Sequence, residues 1–170
     1  MKVNRGKKFE ETVKESFEKI DYVSIDRYPD PMAGYAGFRN ICDFGVYFHP
    51  FFFYLECKAF SGNTLNFASA ITENQWNGLL EKSKIPGVGA GILVWFIDHD
   101  QTEFVPIQEL SRLKDAGHAS LNIKDVIANK VIHFPVPGEL KRIYYDYDMI
   151  TFLNHLVWWY RGYWAGELHG

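Results

Sequence analysis

Apolar positions in this chain follow two periods, and each predicts its own elements. Near the N-terminus Phe9, Val13, Phe17 and Ile20 recur at helical spacing. At 100° per residue they fall within one arc of about 80°. With Asn4 ahead of them as an N-cap, they predict a helix over residues 6–20. Glu11, Glu15 and Glu18 point well away from that stripe. Glu10 sits at its edge, the one acid of the helix placed to look along the core boundary.

Further along, the spacing becomes that of strands. Residues 22–28 read as a strand, and Pro29, Pro31, Gly34 and Gly37 mark a loop after it. Residues 41–48 and 51–58 read as two strands joined at His49-Pro50, and 59–70 as a polar loop. Thr72-Glu73-Asn74-Gln75 has the form of a capping box, opening a helix that runs to about Lys84 and is broken by Pro86-Gly87. Residues 91–97 form an unbroken apolar run, as in a central strand. A turn at 98–101, a short strand at 103–105 and a helix at 107–114 follow, and 115–143 is weakly patterned. An aromatic-rich C-terminal helix is predicted over about 145–165, its core at 148–165. This order predicts an α/β (α+β) fold with a central mixed sheet flanked by helices.

The 170 residues are 47% hydrophobic and 17% aromatic, which suits a single domain spanning 1–170 with a substantial core. A net charge of −3 gives no bulk support for a nucleic-acid partner, so any anion site must be local. Lys2, Arg5, Lys7 and Lys8 crowd the N-terminus, either as a solvated helix start or as such a site. There is no signal-peptide pattern, no run approaches the roughly 18 apolar residues of a membrane span, and two cysteines make no disulfide framework. A cytoplasmic location is the expectation.

The stretch CDFGVYFHPFFFYLECK, residues 42–58, carries the candidate chemistry. If its strands pair about the midpoint of His49 and Pro50, opposed residues have numbers summing to 99. One face then collects Cys42, Phe44, Val46, Phe48, Phe51, Phe53, Leu55 and Cys57, all apolar; the other carries Asp43, Glu56 and Lys58. Asp43 would oppose Glu56 with Cβ atoms roughly 4.5–5.5 Å apart. Like charges so placed repel, and either a proton or a cation relieves them. A hard divalent cation wants carboxylate oxygens, and Lys58 could hold an attacking water or a phosphate oxygen. That set suits phosphodiester hydrolysis. The alternative is a solvated sheet face, for which Tyr47, Phe52 and Tyr54 are poorly suited neighbours.

These residues resemble the RecU family of Holliday-junction resolvases, within the PD-(D/E)xK nuclease superfamily. The likeness runs through Asn4-Arg5-Gly6-Lys7 with Phe9-Glu10, Asp43-Phe44-Gly45-Val46-Tyr47, Glu56-Cys57-Lys58, Gln75 with Leu79, the strand at 89–96, and Phe104-Val105-Pro106 with Leu110. It covers about residues 4–110. It implies a restriction-endonuclease-like core and a Mg²⁺- or Mn²⁺-dependent endonuclease, usually a homodimer, that cuts branched DNA in recombination and repair. Asp43, Glu56 and the Cys57 backbone carbonyl would hold the metal, with Glu10 beside them, and Lys58 would orient the attacking water. Gln75 matches a glutamine on the helix after the hairpin, or is only the N3 residue of the capping box. Cys42 stands where the family usually has Thr. Residues 29–42 replace the family's long β-stalk with a loop, so flap or duplex DNA, or a non-catalytic DNA-binding recombination accessory, remain alternative readings. Arg27 and Arg39 are candidate phosphate contacts, with Arg5, Lys7 and Lys8. The small size suits a phage-encoded enzyme.

Other features read more plainly. Cys42 and Cys57 would oppose each other as two buried thiols, with a disulfide or zinc less expected. Asp98-His99-Asp100 reads as a turn rather than a metal cluster. The aromatic tail reads as core or dimer contact, with base stacking the alternative.

Overall fold

The computed structural model describes residues 4–29, 40–141 and 144–166. Asn4 caps the first helix, α1 (Arg5–Phe17), by accepting the Lys7 N–H at 3.2 Å. Its stripe of Phe9, Val13 and Phe17 is buried, and Glu11, Glu15 and Glu18 face solvent. The strands β1 (Ser24–Arg27), β2 (Phe44–Phe48) and β3 (Phe51–Phe60) follow.

Residues 59–70, expected as loop, instead extend β3 to Phe60 and add β4 (Thr64–Asn66) and a short α2 (Phe67–Ala70). The helix α3 (Glu73–Lys82) starts at the predicted capping box on Thr72. Next come β5 (Val88–Phe96), a 3-10 turn (Ile97–His99), β6 (Gln101–Pro106) and α4 (Ile107–Asp115). The weakly patterned region supplies β7 (Ser120–Asn122), α5 (Ile123–Ile127), β8 (Phe134–Pro135) and β9 (Gly138–Lys141). The C-terminal helix is α6 (Met149–Trp164), capped by the Asp148 carboxylate; the preceding residues form β10 (Tyr144–Tyr147), so the helix begins later than 145.

The main sheet has the order β1-β2-β3-β5-β6-β8. Only β3 and β5 run parallel; the other neighbours are antiparallel, so the sheet is mixed. The pairs β9–β10 and β4–β7 form separate two-stranded ribbons. Helices cover both faces, which is why β5 is apolar on both sides. One core cluster gathers α1 and α6 over Phe53, Leu55, Cys57 and Leu93. The other gathers α3, α4 and α5 over Ile92, Val94 and Phe96. The aromatic tail is therefore largely core: Phe152, Leu156 and Tyr160 are fully buried, while Trp158 stays 73% exposed. Tyr160 closes over Gly89, where an added Cβ would lie 2.5 Å from a Phe53 ring carbon and 2.9 Å from the Tyr160 ring.

The hairpin has the predicted register. Phe44↔Leu55, Gly45↔Tyr54, Val46↔Phe53, Tyr47↔Phe52 and Phe48↔Phe51 all sum to 99. At Asp43 the ladder slips by one: its N–H donates to the Leu55 carbonyl at 3.2 Å. A one-residue slip of this kind exchanges the faces of the residues beyond it. Cys42 accordingly packs in the second cluster, while Cys57 packs in the first. The expected cross-strand pairing of the two cysteines is therefore not formed, and both are free, buried thiols. Asp98 and His99 form the expected turn; Asp98 accepts the Gly62 N–H at 2.6 Å, and His99 Nε2 lies 2.7 Å from Asn63 Oδ1. No described helix is long and apolar enough to cross a membrane.

Candidate active site

Beyond Leu55, the partner of the first residue of β2, β3 continues alone on this side, and its next three residues carry the candidate chemistry. Glu56 is 2% exposed. Two donors meet its Oε1: Lys58 Nζ at 2.7 Å and Gln75 Nε2 at 2.6 Å. Its Oε2 is buried and has no hydrogen-bond partner. Asp43, half-buried in the segment leading into β2, reaches across to the strand, where its Oδ2 accepts the Cys57 N–H at 2.7 Å. Because the ladder slips there, Asp43 is not directly opposed to Glu56; it reaches the neighbouring Cys57 N–H at the open end of the hairpin, where its charge still acts on Glu56.

The electrostatics follow from this placement. Burial pushes the Glu56 carboxyl up, and the Asp43 charge pushes it further; Lys58 and Gln75 pull it partly back, and the balance leaves it at about 7. Cys42 is raised to about 12 by burial and by Glu56 and Asp43. Cys57 is driven well above its ordinary value, again chiefly by burial. Neither thiol competes as a soft metal ligand at neutral pH.

Gln75 closes the capping box and also reaches Glu56. Its Oε1 accepts the Thr72 N–H at 3.0 Å and its backbone N–H donates to Thr72 Oγ1 at 3.2 Å, closing the capping box. Its amide nitrogen remains free to hold Glu56. A glutamine at N3 can do this because its acceptor and donors sit on different atoms.

Glu10 lies on α1 with its Oε2 2.6 Å from Arg27 Nη2. Arg27 is thus at the end of β1 in an ion pair. Among the described residues, no three His, Cys, Asp or Glu side chains form a group that could hold a metal ion. Arg5 and Lys7 are exposed on the first turn of α1, and Lys8 Nζ is 3.7 Å from Glu11 Oε2. Arg39 lies outside the described residues.

Two contacts at this site escaped the sequence reading. Asn74 Nδ2 donates to the Asn40 carbonyl at 3.3 Å, and Ile41 presses on Gly78 of α3. A glycine inside a helix was the available signal, since it costs about 1 kcal/mol relative to Ala unless something needs the room.

No protein-family model and no curated protein matches the sequence. Among solved structures, the chain is similar to Hjc, a Holliday junction resolvase from the archaeal hyperthermophile Archaeoglobus fulgidus. The identity is 17%, the TM-score is 0.45, and the match covers 61% of this chain and 78% of that one.

Proposed function

We propose that this chain is a divalent-metal-dependent DNA endonuclease that cuts branched DNA during recombination. The observation that carries this reading is Glu56, a buried carboxylate with one oxygen clasped by Lys58 and Gln75 and the other without a hydrogen-bond partner, and with the Asp43 charge acting on it. An orphaned buried carboxylate oxygen is costly in a protein without a use for it. The donor set is oxygen, which suits Mg²⁺ or Mn²⁺.

In this reading Glu56, Asp43 and the Cys57 carbonyl would hold the ion, with Glu10 as a further candidate ligand. A bound divalent ion would neutralise charge at the scissile phosphate and acidify a water. The chain's own residues do the rest. Lys58 lowers the proton affinity of Glu56, and its ammonium group would hold the attacking water or a phosphate oxygen through an N–H hydrogen bond. Gln75 fixes the Glu56 rotamer. Asp43 supplies the second negative charge that makes a cation preferable to a proton. Arg5, Lys7 and Lys8 stand in the first turn of α1, where the helix dipole disfavours cations. Contact with a DNA backbone would offset that cost.

The reading is tested by incubating the protein with Mg²⁺ or Mn²⁺ on four-way junction, flap, duplex and single-stranded DNA. Cleavage that is lost with chelator, in Asp43→Ala and in Glu56→Ala is the expected outcome. The fastest-cut substrate decides between branched DNA and the flap or duplex alternatives. DNA binding indifferent to Mg²⁺, with no cleavage of any substrate, would replace the enzyme by a binding accessory.

A further inference from the structure

The first turns of α3 touch both halves of the site. At 100° per residue, Asn74, Gly78 and Gln75 share an arc of about 100° on this helix. Gln75 holds Glu56 at 2.6 Å. The other two hold the chain that delivers Asp43. Asn74 Nδ2 reaches the Asn40 carbonyl at 3.3 Å. Ile41 is seated against the bare Cα of Gly78: a Cβ there would stand 2.1 Å from Ile41 Cγ2 and 2.7 Å from Ile41 Cβ. Ordinary carbon contacts need about 3.5–4.0 Å.

Between Ile41 and Asp43 the chain is fastened at every step. Cys42 is buried, with its thiol 3.3 Å from the Phe44 carbonyl. The Asp43 N–H donates to Leu55 at 3.2 Å, and its carbonyl accepts the Tyr28 N–H at 2.8 Å. Ile41 stands two residues from Asp43 on this run, so a push on Ile41 strains the bonds that hold Asp43.

We infer that Ile41 and Gly78 are positioning residues, whose contact lets one helix set the spacing between the Asp43 and Glu56 carboxylates. Neither side chain touches the reacting groups. The contact works by registering the Asp43 segment on the same helix that grips Glu56. Its catalytic consequence rests on the nuclease reading; its geometry does not.

Gly78→Ala tests this directly. The new methyl must push Ile41 outward, because the clash falls on both Cβ and Cγ2. A crystal structure of the variant is expected to show residues 41–43 moved by about 1 Å or more relative to Glu56. A shift of that size in a reacting constellation can cost about 100-fold in rate, so single-turnover cleavage should fall to that extent with little change in DNA affinity. Ile41→Val keeps a branched Cβ in the seat and should cleave like the parent. Ile41→Ala introduces no clash, so it should fold even if Gly78→Ala does not, and it should loosen Asp43 and slow the same step. An Asp43 that stays in place in Gly78→Ala, or unchanged turnover in both Gly78→Ala and Ile41→Ala, overturns the inference. If the parent itself cuts no DNA, the nuclease reading falls, and the position of Asp43 in the variant still decides this one.

Discussion

Gln75 donates from Nε2 to Glu56 Oε1 at 2.6 Å while its own Oε1 accepts the Thr72 N–H at 3.0 Å. One side chain thus ties a helix start to a buried carboxylate, and the two functions are separable by mutation. Thr72→Ala removes the cap but leaves Glu56 held, and should cost about 1 kcal/mol of stability with cleavage largely kept. Gln75→Ala removes the grip on Glu56 and the side-chain half of the capping box while the residue 75 N–H still reaches Thr72 Oγ1, and should lower cleavage well beyond its effect on stability. Thermal melts beside single-turnover rates separate the two variants.

The stability of the metal-free protein should depend on Glu56. Its folded pKa, about 7, lies above the ordinary value of 4.5, so folding favours the protonated form. The penalty for ionising it is absent below pH 4.5, grows as pH rises through that window, and is complete above pH 7. The loss is on the order of 3 kcal/mol. Glu56→Gln carries no such charge, so its stability should stay nearly flat between pH 4.5 and 7. Denaturant titrations of both proteins with chelator present are the measurement.

Divalent binding must displace that proton. The affinity for Mn²⁺ or Mg²⁺ should therefore rise with pH up to about 7, by at most about tenfold per unit, and level off above it. Calorimetry in buffers of different ionisation enthalpy should register proton release below pH 7. Binding without proton release at pH 6 would contradict the assignment of Glu56 as a ligand.

Lys58 lowers the proton affinity of Glu56 by its charge and its hydrogen bond. In Lys58→Ala the Glu56 carboxyl should hold its proton to still higher pH. Cleavage should fall on the order of a hundredfold or more, and raising the pH should recover only the part due to Glu56 ionisation. Parental cleavage in this variant would remove Lys58 from the mechanism.

Cys42 and Cys57 sit in different core clusters and are both buried. Neither should react with a thiol reagent in the native protein, and both should react together on unfolding. An oxidant should leave no intramolecular disulfide. Counting thiols before and after denaturation checks this.

Local pattern alone determined a good deal here. The stripe of α1, its Asn4 cap, the capping box at Thr72 and the register of the hairpin were all legible, because each depends on neighbours within a turn or across a tight loop. The shared face of Glu56 and Lys58 was legible for the same reason, as strand alternation sets residues two apart on one side; the expected direct opposition of Asp43 to Glu56 was not formed. Tertiary structure decided the rest. The slip at Asp43 depends on its carboxylate and N–H finding partners on β3 and its carbonyl finding Tyr28 just after β1, and no periodicity anticipates it; Cys42 changes face as a consequence. Arg27 pairs with Glu10 because α1 packs beside β1. The depth of Glu56, the grip of Gln75 and the seat of Ile41 on Gly78 arise only when α3 docks on the sheet. Hydrogen bonds and burial between segments distant in sequence are set by packing, and packing leaves no periodic trace along a single chain.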